Sequence, residues 1–298
     1  MTLREFINDC IERLSPLYPA QEAKAIAFRL LEHYTDIPSY KFISEPDLVI
    51  SGLSSPVIPG STRNLDTPLR SALDELATGR PLQYVLGVTE FCGHRFKVGE
   101  GCLIPRPETE ELVARIIEEL DASVMPGLTR NLGEEPFNIL DLCTGSGCIA
   151  WSLAAEFPEA MVYGCDLSDA ALRYACKQRV KVGGAKPIFF SADVLAAPPA
   201  GLPSFDVIVS NPPYICESER AAMRPNVLDF EPAEALFVPD DDPLRFYRAI
   251  ARWADALLRP DGHLYLEINE RFGPDVAALF PGSRVIPDLS GRDRFVIR

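Results

Sequence analysis

Asn211-Pro212-Pro213-Tyr214 closes the apolar run Phe205-Asp206-Val207-Ile208-Val209-Ser210, and these four residue types in this order suit methylation of a planar nitrogen. An amide or aromatic amine nitrogen has its lone pair delocalised into a π-system. It is a poor nucleophile until its N–H groups are held and its plane is fixed. Asn211 Oδ1 and the Pro212 backbone carbonyl are the expected acceptors for those two N–H groups. The Tyr214 ring is expected to stack on the flat face, and Pro213 adds no N–H to compete. The same four residues also make an Asn-Pro turn after a buried strand, which is chemically silent.

About seventy residues upstream, Phe137-Asn138-Ile139-Leu140-Asp141-Leu142 reads as a buried strand. Cys143-Thr144-Gly145-Ser146-Gly147 follows, then an apolar helix from about Cys148 to Phe157. Gly145 and Gly147 permit a tight turn and a close backbone approach, while the helix start presents unpaired N–H groups. The third glycine of the dinucleotide pattern is replaced by Ala150, which some such sites accept. The next strand, Met161 to Asp166, ends in an acid able to take the two hydroxyls of a ribose. Pro187 to Asp193 reads as a third strand ending in an acid, and Phe205 to Tyr214 as a fourth. Asp141, Asp166, Asp193 and Asn211 therefore converge on one crevice at the carboxyl ends of a parallel sheet. Taken singly, each acid is equally an ordinary helix cap.

This order of motifs resembles a class I S-adenosylmethionine-dependent methyltransferase, and more narrowly the HemK/PrmC group. That group methylates the side-chain amide nitrogen, N5, of the glutamine in the Gly-Gly-Gln loop of peptide-chain release factors. The narrower likeness is carried by Gly87-Val88-Thr89-Glu90-Phe91 through Phe96 to Leu103-Ile104-Pro105-Arg106-Pro107-Glu108-Thr109-Glu110, by Glu231-Pro232-Ala233-Glu234-Ala235-Leu236, and by Asp288 to Arg294. It runs from about Leu76 to the end of the chain. Cys143 stands where many members have Gly, and Val194 where an aromatic residue is frequent.

The resemblance implies that S-adenosylmethionine lies along Asp141, Cys143, Thr144, Gly145, Ser146, Gly147, Asp166, Leu167, Asp193, Val194 and Asn211, leaving as S-adenosylhomocysteine. It implies that Asn211, Pro212, Pro213 and Tyr214 bind the glutamine, with Asn211, Pro212 and Tyr214 catalytic. The expected reaction is a direct in-line displacement with no general base acting beforehand, because the attacked nitrogen becomes acidic only as the methyl bonds. Arg106 and Glu108 stand open between a helix-entry charge pair and a role beside the cofactor. The alternative substrate is the amino group of adenine or cytosine in nucleic acid, which offers the same acceptor geometry.

Charge separates these substrates. The formal net charge is −14, from 29 basic and 43 acidic residues. Residues 1–80 hold 8 basic and 11 acidic side chains and the remainder 21 and 32, so neither part is a basic module. Nucleic acid is thus a disfavoured partner, whereas a protein substrate such as a release factor meets no electrostatic objection. Eight cysteines occur without a Cys-x-x-Cys pair, and Cys143, Cys148 and Cys165 lie in apolar context as reduced, buried thiols. His33, His94 and His263 are too scattered for a metal cluster, so no metal is expected. No charged-then-apolar leader opens the chain and no apolar run approaches the ~20 residues of a membrane span, so a cytoplasmic enzyme is expected.

Three parts are expected to position these residues. Residues 1–80 read as a helical bundle: apolar residues recur at helical spacing from Leu3 to Leu14, from Ala23 to Tyr34, and from Leu69 to Leu76, the last stripe ended by Gly79. The resemblance makes this bundle the docking domain for the substrate. Residues 81–106 form a linker with a β-hairpin, where Val88 to Val98 alternates around Gly93. Residues 107–298 form the methyltransferase domain, opened by a helix from Pro107 to about Leu120. Asp121 to Pro136 lacks periodicity and reads as a surface loop. A helix from Asp242-Pro243 to about Leu258, a turn at Pro260-Asp261-Gly262, a strand from His263 to Ile268 and an antiparallel pair within Ser283 to Arg298 complete the chain. The fold class expected from the resemblance is α/β: a doubly wound, mostly parallel seven-stranded sheet with an antiparallel C-terminal strand, beside the small helical bundle.

Overall fold

The computed structural model describes residues 1–35, 37–50, 66–120 and 136–298. The chain forms two compact units, Met1–Gly87 with Pro225–Phe230, and Val88–Arg224 with Glu231–Arg298. The first unit therefore runs seven residues past the boundary expected at position 80 and takes in a short later segment.

In the first unit, α1 spans Leu3–Leu14, α2 Ala20–Tyr34, α3 Lys41–Ser44, α4 Asp66–Ala77 and α5 Leu82–Leu86. A capping box starts α1: Thr2 Oγ1 accepts from Glu5 N at 3.2 Å and Glu5 Oε2 accepts from Thr2 N at 2.7 Å. The apolar stripes face one another, with Leu3, Phe6, Cys10, Leu30, Leu69 and Leu73 in a single buried cluster. Gly87, at φ +68°, ends α5 in the left-handed conformation that glycine adopts without a Cβ clash.

The second unit opens with a hairpin of β1 (Val88–Phe91) and β2 (His94–Lys97), then α6 (Pro107–Leu120). There follow β3 (Phe137–Leu142), α7 (Cys148–Glu156), β4 (Ala160–Asp166), α8 (Asp169–Ala175), β5 (Ile188–Ser191), β6 (Phe205–Ser210), β7 (Ile215–Cys216), α9 (Pro225–Leu228, grouped with the first unit), β8 (Phe237–Val238), α10 (Arg245–Leu257), β9 (Leu258–Glu267), α11 (Gly273–Ala278), β10 (Arg284–Pro287) and β11 (Asp293–Ile297). Seven strands form one sheet in the order β10-β11-β9-β6-β3-β4-β5. Pairings from β5 to β9 are parallel, and β11 runs antiparallel to both β9 and β10. This is the expected α/β class.

Alternation along the strands explains the two cores. Ile139, Val162, Val207 and Val209 face α6 and α7, whereas Leu140, Cys165, Ile208 and Leu264 face α10 and α11. Both faces are covered, so the central strands read as continuous apolar runs. Several boundaries differ from expectation: the fourth parallel strand stops at Ser210 rather than Tyr214, and the helix expected from Asp242 begins at Arg245. The third parallel strand stops at Ser191 rather than Asp193, because Asp193 Oδ1 accepts from Leu195 N at 2.8 Å and folds the chain into a local turn. The turn at Pro260-Asp261-Gly262 is a bulge inside β9, where the β6 register shifts between Phe205↔Leu258 and Val207↔His263. The loop expected at Asp121 to Pro136 lies, apart from Pro136, outside the described residues.

Ile208 is fully buried in β6, three residues before Asn211. Truncation there removes contacts that the surrounding sheet cannot close over. Ile208→Ala is expected to lower the unfolding free energy by about 2–5 kcal/mol, read from the urea midpoint at unchanged slope.

Candidate active site

β3 lies between β4 and β6, where the strand order reverses and successive crossovers leave for opposite faces. A crevice opens there because the loops after β3 and β6 diverge. Register makes it a single level: Leu142 pairs with Cys165 and Ser210, Ser210 pairs with Leu266, and Asp166 pairs with Ser191. The next residues along, Glu267, Asn211, Cys143 and Asp166, therefore stand side by side. A cavity of about 370 Å³ occupies this edge.

Of the residues singled out in the sequence, Cys143, Gly145, Asp166, Leu167, Asp193, Val194, Asn211 and Pro213 line the cavity. Asp141, Thr144, Ser146, Gly147, Pro212 and Tyr214 are not among the residues that line it. Asp141 is fully buried; its Oδ2 accepts from Thr144 Oγ1 at 2.5 Å and from Ala150 N at 3.2 Å, and its Oδ1 has no hydrogen-bond partner among the described residues. It braces the turn from below. Cys143 takes φ +59°, Gly145 +55° and Gly147 +77°. A side chain at such an angle costs roughly 1–2 kcal/mol, which Cys143 bears where glycine would not. A Cβ on Gly147 would also come within 3.0–3.1 Å of Phe189, Ala175 and Trp151. The Cys143 thiol is driven well above its usual pKa, first by burial and then by the neighbouring Asp166 carboxylate, and stays protonated.

Asp166 ties the two cavity loops together, its Oδ2 accepting from Gly145 N at 2.8 Å and its Oδ1 from Ser168 N at 2.9 Å. Burial raises its pKa despite those bonds. A carboxylate offers about four lone-pair positions, so capacity for a ligand hydroxyl remains. Val194, 5% exposed, and Phe246 add apolar wall on one side, while Leu167 is 67% exposed at the rim.

Asn211 follows β6 directly, and its Nδ2 donates to Thr109 Oγ1 at 3.0 Å. Thr109 Oγ1 donates to Glu267 Oε2 at 2.6 Å, and Tyr214 Oη donates to Glu267 Oε1 at 2.9 Å. Burial raises the Glu267 pKa, opposed by these two hydroxyls and by the Arg294 guanidinium. The Tyr214 phenol is pushed well above its ordinary range by burial and by Glu267, so it is a neutral donor. The hydroxyl of Tyr214 is thus held by Glu267.

Several pairings at the site carried no signal in the sequence. Arg106 pairs with Glu231 rather than Glu108: Arg106 Nη2 lies 2.7 Å from Glu231 Oε1, and Glu231 Oε2 accepts from Ile104 N at 3.0 Å. The helix-entry pair is therefore replaced by a long-range one, because Glu231 is 5% exposed and needs two donors to compensate its desolvation. Thr109, within a segment that carries the family likeness, and Glu267 have no role that the sequence assigns. The readable signal was an acid in the apolar strand Leu264-Tyr265-Leu266-Glu267-Ile268, where an ionisable group needs partners. Leu103 and Glu234, from segments that carry the family likeness, line the cavity, and Gly101 and Phe246 reach it only through the fold.

Burial pushes Asp141 from the usual 3.8 to about 7, against its bonds from Thr144 and Ala150. A carboxyl whose folded pKa is raised stays protonated in the native state while the unfolded chain ionises. Stability thus falls as pH rises from about 4 to about 7 and levels off above. Asp141→Asn keeps the shape without the charge. Its unfolding free energy is expected to match wild type near pH 4 and to exceed it by a few kcal/mol (roughly 1.4 per pH unit crossed) above pH 7, read from denaturant titrations at both pH values. Parallel pH profiles would assign the slope elsewhere.

Residues 122–228 match the family described as Methyltransferase small domain. The release factor glutamine methyltransferase of Bacteroides thetaiotaomicron is 38% identical over 290 residues, covering 96% of this chain and 95% of the relative. That of Flavobacterium psychrophilum is 35% identical, covering 99% and 98%, and that of Cereibacter sphaeroides 39% identical, covering 92% and 90%. Likeness of this extent spans both units and every strand end described above, and the chain belongs to the release factor glutamine methyltransferase family.

Proposed function

We propose that this enzyme transfers a methyl group from S-adenosylmethionine to the side-chain amide nitrogen, N5, of the glutamine in the Gly-Gly-Gln loop of a peptide-chain release factor. Methylation of release factor glutamine follows from the family; the atom, the loop and the residues in contact are our reading. The observation that carries it is the Asn211 amide at the cavity wall with its Nδ2 already engaged by Thr109, so that Oδ1 is the atom left to meet a substrate N–H.

The residues present fit the cofactor. Asp166 has lone pairs for ribose hydroxyls, Val194 and Phe246 are apolar surface for a purine, and Asp166, Asp193 and Glu234 make the wall acidic, as suits a cation. Asp141 and the 143–147 turn shape the amino acid end of that site. When bound, S-adenosylmethionine supplies an electrophilic methyl carbon on a positively charged sulfur. Asn211 Oδ1 and the Pro212 carbonyl accept the two N–H groups of the glutamine amide, and Tyr214 borders the place where its plane lies. These acceptors hold the nitrogen in line and stabilise the positive charge that grows on it as the new bond forms. Orientation of this kind is worth up to roughly 7–11 kcal/mol in favourable intramolecular cases. No residue needs to remove a proton first, since the N–H becomes acidic only during transfer and its proton passes afterwards to water.

Two variants test the assignment, with labelled-methyl transfer to purified release factor as the assay and an oligonucleotide as the competing acceptor. Asn211→Ala is expected to bind S-adenosylmethionine as wild type does and to lose about 100- to 1,000-fold in kcat. Equal kcat in variant and wild type, or transfer to the oligonucleotide instead, would overturn the reading. Asp166→Ala is expected to weaken cofactor binding at least about tenfold by calorimetry, because a charged acceptor is lost. Undiminished affinity would leave Asp166 as a brace between Gly145 and Ser168 only.

A further inference from the structure

We infer that Thr109 and Glu267 form a positioning relay that decides which end of the Asn211 amide faces the substrate. The inference rests on the role proposed for Asn211 and deepens it.

A primary amide is nearly symmetric in shape. Its oxygen and NH₂ ends differ little in size, so packing alone does not choose between two orientations related by a half-turn. The chemistry does distinguish them. With Oδ1 forward, Asn211 accepts a substrate N–H; with Nδ2 forward, two donors confront one another and the amide is repelled.

The chain of partners fixes the choice from the back. Glu267 is 1% exposed, and each of its two carboxyl oxygens faces a hydroxyl that donates to it. It takes the hydroxyl of Thr109 at 2.6 Å on one oxygen and that of Tyr214 at 2.9 Å on the other. Thr109 is 2% exposed, and its single proton is committed to Glu267. Only lone pairs remain for Asn211. The Asn211 side chain must therefore turn its NH₂ toward Thr109 Oγ1, at 3.0 Å, and its oxygen away. Glu267 is itself held by Tyr247 Oη, which donates to its backbone carbonyl at 3.2 Å. Three elements meet in this relay: the first turn of α6, the end of β9 and the residue after β6.

The test compares Thr109→Val, which removes the hydroxyl at constant shape, with Thr109→Ser, which restores it. Both are assayed for kcat and KM with release factor and for S-adenosylmethionine affinity by calorimetry, beside Asn211→Ala. Thr109→Val is expected to lose about 10- to 100-fold in kcat, while KM and cofactor affinity stay within about threefold, because the misoriented amide is felt mainly as charge develops on nitrogen. Thr109→Ser is expected to recover kcat to within about threefold of wild type. Wild-type kcat in Thr109→Val, with Asn211→Ala impaired, overturns the relay and leaves the role of Asn211 standing. Equal loss in both Thr109 variants also overturns it, since the hydroxyl would then not be the agent. So does a loss of cofactor affinity in Thr109→Val that matches its loss of kcat, which would make the hydroxyl a support of the cavity. Full activity in Asn211→Ala overturns the underlying role itself.

Discussion

The parallel register of β6 between β3 and β9 is the constraint on which the site depends. Parallel strands hydrogen-bond at fixed offsets, and a slip of one residue would reverse every side chain along the strand. Because Ser210 pairs with Leu142 on one side and Leu266 on the other, Asn211 emerges level with Cys143 and Glu267. The alternating burial of Val207, Ile208 and Val209 against opposite cores locks that register. The geometry of the cavity edge is in this sense a by-product of packing: the apolar residues that hold the strand also set the height at which its polar end appears.

Burial of acids is the second theme. Asp141, Asp166 and Glu267 all have raised pKa values, with burial the leading cause in each. Each is compensated by short-range donors rather than by a directly bonded cation: hydroxyl and backbone N–H for Asp141, backbone N–H for Asp166, two hydroxyls for Glu267. Those donors offset part of the desolvation that burial imposes, and in a low-dielectric surrounding each such bond counts for more than it would in water. The acidic balance of the whole chain opposes a phosphate-rich substrate.

Much of this was legible along the chain because the signals were local. The strand, turn and helix around Gly145 and Gly147 announce themselves by composition, and so do Asp166 and the Asn211 to Tyr214 segment. Boundaries were less so: Asp193 closes β5 early through a side-chain bond to its own backbone, and the bulge at residues 260–262 is absorbed into β9. Pairings across long separations were illegible. Arg106 sits two residues from Glu108 yet pairs with Glu231, and Asn211 leans on Thr109 about a hundred residues earlier.

By itself the sequence determined the succession of strands, turns and helices and the acids and amide that end the strands, since these follow from short-range periodicity and turn chemistry, while its likeness to a family supplied the class of fold. Only the tertiary structure decided which side chains line the cavity. It alone also brought Thr109, Asn211, Tyr214 and Glu267 into one hydrogen-bonded chain. The reason is desolvation: a buried carboxylate must find donors wherever the fold places them, and those donors come from elements that share nothing in sequence but a common level at the end of the sheet.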